Sequence, residues 1–160
     1  MLAVVTHGVD ETRSLGEALA ALLEPRDVIV LAGELGAGKT AMAQGIARGL
    51  GVDEIVASPT FVIVREYAGR CPMAHVDVYR LGQLQELHDL GFDELIDDGR
   101  VVVIEWGDRI AQLLPADRLD VRIVARDELG DAREIEFSVQ EGWRARQDRL
   151  GAIVAPWVEV

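Results

Sequence analysis

Apolar and polar positions alternate along this chain with two distinct periods. From Thr12, the residues Leu15, Ala18, Leu19, Leu22 and Leu23 recur at helical spacing, with Asp10 or Thr12 placed to cap the start and Pro25 closing the run. Asp27 then leads into Val28–Ala32, a continuous apolar run of strand length, which predicts a central parallel strand buried on both faces. Gly33 to Thr40 is glycine-rich and reads as a loop. From Lys39 a second helical stripe, Ala43, Ile46, Ala47 and Leu50, ends at Gly51.

Farther on, Phe61–Tyr67 and Met73–Tyr79 alternate with period two and predict a hairpin turning through Ala68–Pro72. Gln83–Leu95 reads as short helices. Val101–Ile104 is another buried-strand run, ending on Glu105 and Trp106. Leu119–Ala125 and Glu134–Val139 predict an antiparallel hairpin at a sheet edge, with the polar turn Arg126–Arg133 between them. The expected fold is α/β, a P-loop NTPase-like three-layer sandwich on a mixed, partly parallel β-sheet. Residues 1–141 are expected to form its single domain, with 142–160 a C-terminal extension that docks a partner or frays.

Composition narrows the function classes. The 160 residues are 49% apolar with 5 prolines and no biased tract, which suits one folded core. With 28 acidic against 16 basic side chains the formal charge is -12, which argues against direct, high-affinity capture of nucleic acid. The single cysteine, Cys71, cannot form an internal disulfide, and no apolar run reaches the roughly 20 residues of a membrane span. Met1–Glu11 lacks a basic start followed by an apolar stretch, so no secretory signal is expected and the expected location is cytoplasmic. All basic residues are arginine except Lys39. Arginine replaces lysine cheaply on a surface but poorly where a compact point charge must enter a tight loop, so the lone lysine draws attention.

Its neighbours supply the chemistry. Gly33-Glu-Leu35-Gly36-Ala37-Gly38-Lys39-Thr40 fits the phosphate-binding loop G-x-x-x-x-G-K-[ST], with the required strand before it and helix after. Glycines let successive backbone N–H groups, from Leu35 through Thr40, curl around an anion, and the following helix points its positive end at the same phosphates. Lys39 is placed to reach the β and γ phosphates, and the Thr40 hydroxyl to ligate Mg²⁺. Such a site needs an acid at the end of a neighbouring strand, which Glu105 supplies. Asp77 is a second candidate acid, because the alternation of His75-Val-Asp77-Val-Tyr79 sends three polar side chains to one face, suited to water positioning or metal coordination. Ser58-Pro-Thr60 can act as a γ-phosphate sensor and Arg80 or Arg109 as charge-stabilising fingers. Each has an ordinary reading as a turn or a surface arginine, and Trp106 reads as core before nucleotide stack. The N-K-x-D signature of guanine-specific NTPases has no lysine left to build it, which favours ATP.

The motifs Gly33–Thr40, Ser58-Pro-Thr-Phe61, His75-Val-Asp-Val-Tyr-Arg-Leu81, Leu90-Gly-Phe92 and Ile104-Glu-Trp106, in this order, resemble the TsaE (YjeE) family, over about Thr12 to Val139. The resemblance implies a small bacterial ATPase that works with the TsaB and TsaD proteins. The family supports formation of threonylcarbamoyladenosine at position 37 of tRNAs reading codons that start with A. It also implies that ATP hydrolysis resets that complex, while the net charge of -12 leads to the expectation that tRNA is met only indirectly and the lack of a long apolar run to that of no membrane partner. Carried over by position, it assigns Lys39 to phosphate, Thr40 and Glu105 to Mg²⁺, and Asp77 to the hydrolytic step. It suggests adenine contacts from Val9 to Thr12 and from the turn near Gly130. Trp143, Arg144, Arg146, Arg149 and Trp157 match no motif of the family. Two other readings remain open at this level: a small-molecule P-loop kinase with the Arg-rich tail as a lid, and a non-catalytic nucleotide switch.

Overall fold

The structure is a computed structural model that describes residues 1–58, 64–79, 84–89, 91–127 and 130–160. Among the described residues seven strands form one sheet: β1 (Leu2–His7), β2 (Val28–Ala32), β3 (Val64–Tyr67), β4 (Met73–Asp77), β5 (Val101–Glu105), β6 (Leu119–Ala125) and β7 (Ala132–Val139). Their spatial order is β1-β7-β6-β2-β5-β4-β3. The inner four, β6, β2, β5 and β4, run parallel, while β3, β7 and β1 pair antiparallel to their neighbours. The helices are α1 (Val9–Leu19), α2 (Lys39–Gly49), α3 (Leu84–Asp89), α4 (Phe92–Asp97) and α5 (Gln147–Val154). The α/β architecture with a mixed sheet is therefore the one expected.

The two continuous apolar runs explain the layering. Along β2, Ile29 and Leu31 join one core while Val28 and Val30 join another, and β5 splits likewise into Val101 and Val103 against Val102 and Ile104. The first core contains Leu15 and Leu19 of α1, Met42 and Ile46 of α2, and Leu150 and Val154 of α5. The second contains Leu87 of α3, Phe92 of α4, and Ile110 and Leu114 from the turn after β5. A strand covered on both faces has no polar side to show, hence the absence of alternation. On the first face, α1 and α2 cross at glycines: a Cβ at Gly45 would run into the backbone of Arg13, and one at Gly16 would sit 2.6 Å from the Met42 carbonyl. That close approach holds the start of α1 beside the start of α2.

Three expectations need correction. First, the opening residues form a strand. β1 pairs with β7 from Leu2↔Phe137 to His7↔Ala132, so the β6–β7 hairpin lies inside the sheet and not at its edge. Helix α1 starts at Val9, earlier than Thr12. Second, β4 stops at Asp77, short of the expected Tyr79, and lies between β5 and β3 with His75 fully buried.

The third correction concerns residues 142–160, expected to dock a partner or fray. Their Trp143, Leu150 and Val154 are fully buried in the first core. Arg146 forms a two-point pair with Asp27 at 2.7 and 2.8 Å, donates to the Leu22 carbonyl and lies 3.7 Å over the Trp143 ring. The Asp27 carboxylate that accepts those hydrogen bonds raises the Arg146 pKa above the ordinary arginine value despite burial. The segment reads as unplaced because its apolar residues are spread over short helical turns, while the partner of its arginine lies near the other end of the sequence.

Candidate functional site

The carboxyl ends of the parallel strands bring the site together. β2 ends at Ala32, the loop Gly33–Gly38 follows, and α2 begins at Lys39. Gly36 and Gly38 have φ of 78° and 117°, conformations that side-chain-bearing residues rarely adopt, and a Cβ at Gly36 would meet nothing within 4 Å. The loop leads into the N-terminus of α2, a combination that suits phosphate, and its Ala37 N–H donates to the Glu34 carbonyl at 3.0 Å. Leu35, at the tip, is 80% exposed.

Lys39 is buried, and its Nζ donates to the carbonyls of Gly33 at 2.7 Å and Glu34 at 2.8 Å. Nζ also lies 3.8 Å from the centroid of the Trp106 ring. Burial lowers its pKa below the ordinary lysine value, opposed by the negative charges of Glu105, Asp77, Asp108 and Glu34. Such an ammonium, partly stripped of water and surrounded by acids, can gain from an incoming polyanion.

The acids align across the sheet. Leu31, Glu105 and Asp77 are register partners on β2, β5 and β4, which places both carboxylates level with the start of the loop. The Thr40 hydroxyl donates to Glu105 Oε1 at 2.9 Å, so hydroxyl and carboxylate are adjacent as a shared metal ion would need. Asp77 Oδ2 accepts from Ser58 Oγ at 3.1 Å, and Oδ1 from the Tyr79 backbone N–H at 2.9 Å. Among the described residues no group of three His, Cys, Asp or Glu side chains can hold a metal ion by itself. Mg²⁺ commonly takes one or two carboxylates and completes its shell with phosphate and water, so a hydroxyl plus one or two acids fits that ion.

A cleft of about 220 Å³ opens beside the loop. It is lined by Val9 and Thr12 from α1, by Gly36, Ala37 and Gly38, and by Asp131 and Arg133 at the start of β7. The two regions suggested for adenine thus meet one another and the loop. The Gly130 carbonyl accepts from Arg133 Nη1 at 2.9 Å, while Arg133 Nε donates to the Ala37 carbonyl at 3.0 Å. Arg133 ties the turn to the phosphate loop, a connection for which the sequence carries no local signal.

Trp106 packs partly buried against the second core and Arg109 is exposed, as their ordinary readings expect, but the sequence did not place them against Lys39. Trp106 has φ 63°, a left-handed conformation that costs a non-glycine residue about 1–3 kcal/mol. That geometry turns the indole over Lys39, and Arg109 stacks on it at 4.8 Å while reaching the Tyr79 carbonyl at 3.2 Å. The available signal was a bulky aromatic directly after the strand-terminal acid, with an arginine three positions on. Pro59, Thr60, Phe61, Arg80, Leu81 and Leu90 lie outside the described residues.

Comparison with known proteins agrees with this geometry. The family profile described as "Threonylcarbamoyl adenosine biosynthesis protein TsaE" matches residues 6–135. A Bacillus subtilis (strain 168) protein named tRNA threonylcarbamoyladenosine biosynthesis protein TsaE is 44% identical over 134 residues, 83% of this chain and 82% of that protein. Its namesake from Streptomyces coelicolor is 48% identical over 115 residues, 69% of this chain and 77% of that protein. The solved structure described as the crystal structure of Bacillus subtilis YdiB superposes with a TM-score of 0.78 at 36% identity, covering 97% of this chain and 94% of that one. The match runs over most of both chains and includes the strand, loop and helix that cradle Lys39, so this chain belongs to the TsaE family.

Proposed function

We propose that this protein is a Mg²⁺-dependent ATPase that supports tRNA threonylcarbamoyladenosine formation in a complex with TsaB and TsaD. The observation that carries the ATPase reading is the convergence of Lys39, Thr40, Glu105 and Asp77 at one end of the parallel strands, beside a cleft floored by Gly36–Gly38. Membership of the family supports the pathway, since the relatives are named for that biosynthesis. Nucleotide and metal are parts of the proposal, and the residues fit them.

In this reading the loop amides hold the phosphates, and Lys39 leaves the Gly33 and Glu34 carbonyls to meet the β and γ oxygens. Thr40 and Glu105 hold the metal, with Asp77 beside them. Bound Mg²⁺ neutralises charge that develops on the phosphoryl oxygens. Asp77, fixed by Ser58 and the Tyr79 N–H, orients the attacking water. The stacked Arg109 adds positive charge near Lys39. Val9, Thr12 and the turn at Gly130 flank the adenine.

Transfer RNA is met through the protein partners. A domain of net charge -12 repels a polyanion within a Debye length of about 8 Å. The one basic cluster in the sequence, at residues 144–149, is divided because Arg146 is committed to Asp27. Among the described residues no helix is long and apolar enough to cross a membrane.

Asp77→Asn tests the hydrolytic role. It keeps the shape of the side chain, so ATP affinity is expected to stay within about twofold while turnover falls about 10²-fold or more. Equal losses in binding and turnover would make Asp77 a structural residue.

A further inference from the structure

We infer that His75 is a positioning residue that presets the Glu105 carboxylate for the metal, an inference that rests on the ATP–Mg²⁺ reading above. His75 lies on β4 opposite Val103 of β5, and its side chain is fully buried. Its Nε2 is 2.6 Å from Glu105 Oε2, while Thr40 Oγ donates to Oε1 at 2.9 Å. Groups from two elements thus hold the carboxylate: α2 through the Thr40 hydroxyl, which also lies 3.2 Å from Oε2, and β4 through the imidazole at Oε2. Glutamate has three side-chain torsions, and an ungripped carboxylate at the end of a strand samples orientations that point both oxygens away from a shared ion.

The other ring nitrogen, Nδ1, is buried and has no hydrogen-bond partner among the described residues. A proton on Nδ1 would be a buried donor with no acceptor, whereas a proton on Nε2 is satisfied by Glu105. The Nε2–H tautomer is therefore the one that fits, donating to the carboxylate and leaving Nδ1 bare. Histidine is well suited here: it is rigid, it reaches across to the neighbouring strand, and its donor lies at the far end of the ring. Residues that orient a metal-binding carboxylate in this way commonly change metal affinity about 10- to 100-fold when removed.

Two readouts test this. The first is ¹⁵N NMR of the nucleotide-free protein, where the His75 ring is expected as the Nε2–H tautomer; the Nδ1–H tautomer would overturn the assignment. The second is the affinity for a non-hydrolysable ATP analogue as Mg²⁺ is titrated, in His75→Leu and His75→Gln. His75→Leu is expected to raise the half-saturating Mg²⁺ concentration about 10- to 100-fold, with analogue affinity in the absence of Mg²⁺ within about twofold. His75→Gln, whose amide NH₂ reaches the same acceptor, is expected to recover most of that loss. If His75→Leu fails to fold, His75→Asn serves instead, since its amide stops short of Glu105. A folded unpaired variant with wild-type Mg²⁺ dependence, or one that loses Mg²⁺-free affinity equally, overturns the inference alone. A wild-type protein whose analogue affinity ignores Mg²⁺ overturns the ATP–Mg²⁺ reading and this inference with it.

Discussion

Replacing Lys39 by alanine is expected to lower ATP turnover about 10²- to 10³-fold, the loss of roughly 3 to 4 kcal/mol of transition-state stabilisation from one preorganised charge. The native fold already carries the cost of holding that charge. Burial depresses the Lys39 pKa below 10.5, so the unfolded chain binds the proton more tightly than the native state does. The stability this group contributes therefore rises as pH climbs from the depressed native value toward 10.5. Deleting the ammonium relieves the desolvation cost while freeing the Gly33 and Glu34 carbonyls, so the nucleotide-free melting temperature should change little. Steady-state turnover and thermal melting check the two halves separately. Unchanged turnover in a folded variant would remove Lys39 from the phosphoryl site.

The second large effect concerns stability. Trp143→Ala is expected to cost about 3–5 kcal/mol, because it empties a fully buried site in the first core and removes the ring on which Arg146 stacks. For a chain of this size that lowers the melting temperature by roughly 10 °C or more. Nucleotide binding measured well below the transition should persist, since Trp143 packs with the core and takes no part in the cleft. A melting temperature within about 1 °C of the wild type would mean that residues 142–160 are not part of the folded unit. The same packing makes deletion of the segment a poor probe of its surface arginines; charge reversal at Arg144 or Arg149 leaves the core intact.

The phosphate loop was legible because its requirements are local. Glycine at φ 78° and 117°, then Lys39 and Thr40, follow from what one loop must do to surround an anion, and eight consecutive residues state it. Glu105 was legible for a related reason: an apolar run that ends abruptly in an acid marks the end of a buried strand. The polar row of His75 and Asp77 showed through its alternation, but the contact between His75 and Glu105 did not, since it depends on which strands are neighbours. β1 escaped because its buried stretch Val4–Thr6 has no alternation and its partner β7 lies near the other end of the chain. Arg146 and Asp27, Arg133 and Ala37, and Trp106 over Lys39 are all long-range arrangements of the same sort. None leaves a periodic trace in the sequence, and each becomes visible only once the sheet order is known.

The most direct measurement of the central claim is ATP turnover by the full chain with Mg²⁺, alone and with TsaB and TsaD together, with the Lys39→Ala variant in parallel. The expected result is slow hydrolysis alone, an increase of at least about tenfold with both partners, equivalent to roughly 1.4 kcal/mol of barrier, and no increase in the variant. Turnover indifferent to both partners, or ATP consumed only when a small-molecule acceptor is supplied, would contradict it.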